Sequence, residues 1–395
     1  MERIGIYGGA FNPPHLGHIR GAEYALKALG LDKILMIPSC VSPHKDTPPN
    51  SPEPEMRLKM LQLALEDEKN IEASDLELVR GGVSYTCETL NQVKKMHPGA
   101  ELFLLMGTDM FLGFESWKNA DQIAAECTLA VFYRGQKEEK TEILENSAQL
   151  QKLGANVRLV ENPVTEISST QLRRLLVFRS AAPYLPEKAL KFIEENGLYG
   201  TGRDYRNLPI DKLEQVVVSL LKPNRVKHVL GVRQTAEKLA KLYGADPVDA
   251  ARAGLLHDVT KALDGPLQLT LCHEYGKVLD KFSCQNPKTL HDLTGSLVAE
   301  KIFGENHEVV EAIRSHTTGK PNMNLLQKNT YVADYMEPNR DFPGVEKLRK
   351  LAFENIDEAL MLGLRMTLKM LKEQGKEISP ESREALSYME QSQKG

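Results

Sequence analysis

Gly8-Gly9-Ala10-Phe11-Asn12-Pro13-Pro14-His15-Leu16-Gly17-His18 follows directly on the apolar run Arg3-Ile4-Gly5-Ile6-Tyr7. The order describes a short strand, a glycine turn, two prolines that fix the entry to a helix, and two histidines on that helix's first turn. Side chains three apart on a helix share one face, so His15 and His18 are expected to point the same way. The start of a helix offers unpaired N–H groups and the positive end of the helix dipole. Glycines let a polyphosphate approach the backbone closely. Together these parts make a cradle for a nucleotide triphosphate.

Outward from this stretch, short β-rich runs alternate with helical ones. Strands are expected at 3–7, 34–37, 102–106, 128–133 and 157–160. Helices are expected at about 15–29, 54–66, 86–96, 119–125, 142–152, 169–177 and 186–196. Such alternation calls for a doubly wound α/β fold, a parallel sheet covered by helices on both faces. Ligands in these folds bind beyond the carboxyl ends of the strands, where Gly8, Lys45 and Asp109 all fall. Tyr199 to Leu208 is polar and glycine-containing and reads as a linker. Beyond it, apolar residues recur at helical spacing through 211–221, 226–243, 247–257, 292–303, 308–315, 325–337 and 344–374. The expected organisation is an α/β domain over 1–203 followed by an all-α domain over 204–395.

A chain of 395 residues with 41% hydrophobic content is long enough for two cores. Lys and Arg number 50 against 54 Asp and Glu, a formal net charge of -4. That balance argues against a nucleic-acid partner, which calls for a basic surplus. Basic side chains are expected instead in pockets for anionic substrates. Five scattered cysteines, Cys40, Cys87, Cys127, Cys272 and Cys284, contain no CxxC and fit reduced thiols in a cytoplasmic location. No apolar run reaches the length of a membrane span, so no membrane partner is expected.

The GGxFNPPHxGH stretch resembles the HxGH signature of the adenylyltransferase superfamily, and within it the nicotinate-mononucleotide adenylyltransferase branch. The resemblance continues through Pro43-His44-Lys45, Gly82-Val83-Ser84-Tyr85-Thr86-Cys87-Glu88-Thr89-Leu90, Leu104-Leu105-Met106-Gly107-Thr108-Asp109 with Trp117 beyond it, and Ile167-Ser168-Ser169-Thr170-Gln171-Leu172-Arg173. It implies a Rossmann-like nucleotidyltransferase of NAD biosynthesis that joins ATP to nicotinate mononucleotide, with Mg²⁺ on the triphosphate. On the matching positions, Gly8, Gly9, Phe11, Ser168, Ser169 and Thr170 would hold ATP. His15, His18, Lys45 and Arg173 would stabilise charge on the phosphates, Arg173 through its planar guanidinium fork. Tyr85, Thr86, Asp109 and Trp117 would hold the mononucleotide, with an aromatic face on the pyridine ring. Ala10 stands where relatives often carry Ser or Thr, which removes one hydroxyl contact and leaves the backbone shape. A phosphopantetheine enzyme of the same fold is the rival reading, and the SYTCETL and ISSTQLR segments favour the nicotinate branch.

In the second half, His228 near the start of one helix, His257-Asp258 at the end of another and Asp334 on a third stand in apolar settings. An unpaired charge would be costly there. Imidazoles and carboxylates suit iron, manganese or a related divalent ion. Over most of 210–375 the chain resembles the HD-domain phosphohydrolases. The runs Ile313-Arg314-Ser315-His316-Thr317-Thr318-Gly319 and Ala333-Asp334-Tyr335-Met336-Glu337-Pro338 look like the branch that splits diadenosine tetraphosphate symmetrically into two ADP. The resemblance implies His228, His257, Asp258 and Asp334 as ligands of iron or another divalent metal. Lys261, His291, His316 and Arg340 would be phosphate contacts or outer ligands of a second ion, with Asp258 and Lys261 serving catalysis. Asp292 follows His291 where relatives usually carry glycine. Two other readings are a nucleotide-binding regulatory module without turnover and an enzyme for another nucleotide, such as a guanosine alarmone. His97, His273 and His307 match no motif and are expected at the surface.

Overall fold

A computed structural model describes residues 1–43, 48, 50–133, 137–152, 154–161 and 167–392. Lys45, expected at the phosphates, lies outside the described residues. The chain divides into two compact units, Met1–Arg203 and Asp204–Gly395.

The first unit is built on a six-stranded sheet of β1 (Arg3–Gly9), β2 (Lys33–Pro38), β3 (Ile71–Ala73), β4 (Glu101–Gly107), β5 (Thr128–Tyr133) and β6 (Asn156–Glu161). The strands lie in the order β3-β2-β1-β4-β5-β6, and every neighbouring pair is parallel. Each strand therefore returns through a crossover, and the order reverses between β1 and β4. Successive residues feed opposite faces of the sheet. Ile4, Ile6, Leu35, Ile37, Leu104 and Leu129 pack into one core, while Ile34, Met36, Phe103, Leu105 and Ala130 pack into the other. Helices on both faces follow from this, because neither face is polar enough to meet water. The edge strand β3 escaped the sequence reading, since three residues carry no measurable period. The helix Leu76–Arg80, of five residues, escaped for the same reason.

Every named element among the described residues of the second unit is a helix. The helix Val226–Tyr243 packs against both Pro247–Leu256 and Leu325–Met336. Gly254 permits the first of these crossings: a Cβ there would stand 2.8 Å from the Arg233 Cα. The apolar stretch 344–374, read as one helix, is two, Val345–Glu354 and Ile356–Glu373. Asn355 breaks it, and its side chain caps the second helix by accepting from Asp357 and Glu358 N–H groups. Three helices had no counterpart in the sequence reading: Gly265–Glu274, Lys281–Gln285 and Pro380–Ser392. The first begins with Gly-Pro, which resembles a turn, but Asp264 caps it and the proline occupies its first turn. The presumed linker is also more ordered than its composition implied. Tyr199 and Tyr205 within it are buried, and Leu198–Gly200 forms a 3-10 turn. No helix among the described residues is long and apolar enough to cross a membrane.

Separate cores predict separate folding. Polypeptides ending at Arg203 and beginning at Asp204 are each expected to show one cooperative thermal transition in calorimetry. A half that melts without cooperativity would contradict this division.

Candidate active sites

A cavity of about 580 Å³ opens at the carboxyl ends of the central strands. It gathers Gly8, Gly9, Phe11, His15, His18, Thr86, Trp117, Ser168, Ser169, Thr170 and Arg173, most of the residues singled out in the first half of the sequence. Two do not join them. Asp109 is exposed on the short helix Thr108–Leu112, and Tyr85 instead packs its ring beneath Lys118 Nζ at 3.9 Å. Neither lines the cavity.

Gly8 and Gly9 end β1 in extended conformation, so the expected glycine turn is made further on, at Phe11, with φ 44. The value of Gly8 is space: a Cβ there would meet nothing within 4 Å. His15 is the residue that caps the helix Leu16–Ala28, one position earlier than the sequence spacing implied. Its backbone N–H donates to His18 Nδ1 at 3.2 Å, and the two rings stack with centroids 3.6 Å apart. That bond commits His18 Nδ1 as acceptor and leaves Nε2 as the proton-bearing nitrogen of the neutral ring. His15 Nδ1 is buried with no hydrogen-bond partner among the described residues. Burial lowers the His15 pKa to about 4, and burial with the neighbouring His15 holds His18 well below its ordinary value. Burial thus favours the neutral form of both rings, and an anion beside them would favour the charged form.

The loop bearing these histidines is fastened from behind. Arg57, which the sequence reading passed over, donates to Ala10 O and to Ser39 O, each at 2.7 Å. Arg173 donates to Asn12 O at 2.7 Å and to Thr170 Oγ1 at 3.1 Å. Its guanidinium thus holds the loop as well as lining the cavity. Ser169 Oγ donates to Pro13 O at 3.1 Å, and Ser168 caps its helix by accepting from the Gln171 N–H. Opposite, Ser84 Oγ accepts from Cys40 N–H at 2.9 Å, which ties the start of the SYTCETL segment to the end of β2. Trp117 leans on Phe114 at 5.4 Å between centroids.

The second unit concentrates its histidines more tightly. His228 Nε2 lies 3.2 Å from His257 Nε2 and 3.1 Å from Asp334 Oδ1. His257 Nε2 is 3.5 Å from Asp258 Oδ2, so the four residues expected as metal ligands converge. The far nitrogens are already committed: His257 Nδ1 faces Gly254 O at 2.7 Å, and His228 Nδ1 faces Glu337 Oε1 at 3.1 Å. With the N–H on those far sides, the two Nε2 atoms would turn their lone pairs on a cation held between them. Gly231 makes room for Glu337, since any Cβ there would collide with the Glu337 carboxylate.

Charge supports the same reading. Burial pushes the His257 pKa down, yet Asp258 and Asp334 outweigh it and raise it. Burial likewise opposes ionisation of Asp258 and Asp334 and is outweighed, for Asp258 by the neighbouring His257 foremost and for Asp334 by its hydrogen bond with His228. The pocket demands positive charge. Arg225 Nε takes Asp258 Oδ2 at 2.5 Å, leaving the buried Oδ1 without a hydrogen-bond partner among the described residues. That oxygen faces His291 Nε2 at 3.6 Å and His316 Nε2 at 3.9 Å. His316 Nδ1 is held by Ile313 O at 2.6 Å, so its Nε2 offers a further lone pair, and His257, Asp258 and His316 form a second set of ligating atoms. Lys261 Nζ reaches His291 Nε2 at 2.8 Å, and Arg340 pairs with Asp334 Oδ1 at 2.7 Å. The donor set fits a divalent ion. Arg225 and Glu337 went unassigned in the sequence, although both lie inside the stretches that carried the resemblance. His273 and His307 are exposed as expected, whereas His97 is half-buried against Glu2 at 3.1 Å.

Residues 6–175 match the cytidylyltransferase-like family and residues 225–339 match the HD domain. A probable nicotinate-nucleotide adenylyltransferase of Clostridium botulinum is 36% identical over 200 residues, 50% of this chain and 98% of the relative. A symmetrical bis(5'-nucleosyl)-tetraphosphatase of Halalkalibacterium halodurans is 40% identical over 177 residues, 43% of this chain and 91% of the relative. A solved HD superfamily hydrolase involved in NAD metabolism, from Clostridium acetobutylicum, is 38% identical with a TM-score of 0.46, covering 47% of this chain and 98% of its own. The chain belongs to the nicotinate-nucleotide adenylyltransferase family through its first unit and to the HD-domain family through its second.

Proposed function

We propose that the chain is a bifunctional enzyme of nucleotide metabolism. Its first unit transfers AMP from ATP to nicotinate mononucleotide, giving nicotinate adenine dinucleotide and pyrophosphate. Its second unit hydrolyses diadenosine tetraphosphate to two ADP. The observation that carries the first reading is the stacked His15–His18 pair at the mouth of a helix N-terminus, with one buried imidazole nitrogen unpaired.

In the transfer, a phosphate oxygen of the mononucleotide attacks the α-phosphorus of ATP in line. The bond to the α–β bridging oxygen breaks and pyrophosphate leaves. His15 and His18 donate to phosphate oxygens as charge grows, assisted by Lys45, Arg173 and helix N–H groups. Mg²⁺ on the triphosphate would supply further charge neutralisation. The lip of the cavity formed by Thr86 and the backbone beside it receives the nicotinate carboxylate, and Trp117 supplies the ring face.

In the hydrolysis, water attacks a phosphorus of the central anhydride and ADP departs on the bridging oxygen. His228, His257, Asp258 and Asp334 would hold iron or another divalent ion, which supplies Lewis-acid activation of water near neutral pH. Lys261 and Arg340 neutralise the polyphosphate, and His291 orients it. His316, with its lone pair directed inward, suits an outer metal ligand better than a phosphate donor.

Three outcomes are expected. His18→Ala should lower kcat for transfer by about a hundred- to a thousandfold, the usual cost of one lost charge-stabilising donor. A turnover number near that of the parent would remove the histidine from the mechanism. Nicotinate mononucleotide should exceed nicotinamide mononucleotide in kcat/KM by about ten- to a hundredfold, because an amide leaves the charge-matched donors mispaired. Equal efficiencies would refute that assignment. Asp258→Ala, or chelation, should abolish diadenosine tetraphosphate cleavage while transfer proceeds normally once Mg²⁺ is restored. Binding without cleavage by the metal-replete chain would make the second unit a regulatory module. Preferential cleavage of a guanosine alarmone would reassign its substrate.

A further inference from the structure

Asn12, in the loop between β1 and the helix Leu16–Ala28, is buried at 5% exposure and spent in three directions. Its backbone carbonyl accepts from Arg173 Nη1, and its Nδ2 donates to Ser51 Oγ at 2.8 Å. The Ser51 hydroxyl donates in turn to Pro48 O at 2.7 Å. The hydroxyl proton is therefore committed, Ser51 Oγ is the acceptor for Asn12, and the amide orientation is determined. Asn12 Oδ1 then requires a donor. Tyr199 OH supplies it at 2.7 Å, from a residue far along the chain.

Tyr199 reaches that position through an unusual backbone. It stands at φ 55, ψ 22, between Gly197 at φ 58 and Gly200 at φ 84. A large aromatic residue rarely occupies the left-handed region, and such strain persists where surrounding contacts over-determine it. Glycine would relieve the strain at Tyr199 but would forfeit the phenol. The ring is buried, with its OH 4.0 Å from Met60 Sδ. Asn12 lines the cavity, whereas Tyr199 does not.

We infer that Tyr199 is a positioning residue for adenylyl transfer, holding through Asn12 the loop that presents His15 and His18. The inference rests on the transfer reaction proposed for the first unit. The phenol lies outside the cavity lining, so its hydroxyl acts on the site through the amide of Asn12. Displacement of a catalytic group by about 1 Å can cost about a hundredfold in rate, which is why one hydrogen bond behind the loop matters.

Tyr199→Phe in the full chain removes the hydroxyl and keeps the ring. Two readouts separate the possibilities: the imidazole NMR signals of His15 and His18, which report loop geometry whatever the unit catalyses, and steady-state transfer. The expected result is shifted imidazole signals, with kcat lowered by about ten- to a hundredfold and a smaller change in the KM for ATP. In an Asn12→Ala background the same substitution should cause no further loss, because the two residues act as one unit. Unmoved imidazole signals with kcat near that of the parent would overturn the inference, as would additive losses in the double variant. Shifted signals in a chain whose parent transfers no AMP would uphold the positioning role and reject the transfer reaction.

Discussion

A neutral imidazole has one donor nitrogen and one acceptor nitrogen, and in both units the fold commits one of them behind the site. In the first unit, the His15 N–H occupies His18 Nδ1. In the second, Gly254 O, Glu337 and Ile313 O face the Nδ1 atoms of His257, His228 and His316. The other nitrogen, which faces the site, then has a defined chemical sense. For His18 it is a donor suited to phosphate oxygen, and for the other three it is a lone pair suited to a metal ion. The same residue type is thus disposed toward two chemistries, separated by which partner stands at its back.

Backbone placement makes those partners available. The open position at Gly8 keeps the end of β1 clear, and the β1/β4 switch point gathers the loops that line the cavity. In the helical unit, Gly254 lets two helices meet at backbone distance and Gly231 admits the Glu337 carboxylate. A side chain at Gly254 would push its two helices apart, and one at Gly231 would displace the Glu337 carboxylate. Among the described residues, His15 Nδ1 and Asp258 Oδ1 are buried at the two sites without a hydrogen bond, as atoms that await a ligand would be.

The alternation of strands and helices was legible because period-2 and period-3.6 patterns are local. The helices Thr86–Met96, Ser169–Val177 and Val226–Tyr243 stand where those patterns predicted them. The misses share a cause in the opposite sense. Ile71–Ala73 is too short to display a period, and Asn355 divides an apolar stretch whose spacing looks continuous on either side. Tyr199 was hidden in a polar segment because burial depends on what packs over a residue, and its neighbours in sequence say nothing of Asn12.

By itself the sequence determined the parallel α/β half and the helical half, and it singled out most of the residues found together in the first cavity and in the histidine cluster, since element alternation, helix phase and motif spacing are written in short runs. Only the tertiary structure decided which of those residues meet. It left Tyr85 and Asp109 off the cavity wall, turned Arg173 onto the loop and brought Arg57, Arg225 and Glu337 into the sites. The reason is physical: a hydrogen bond between residues far apart in the chain depends on how whole elements pack, and no local pattern encodes that distance.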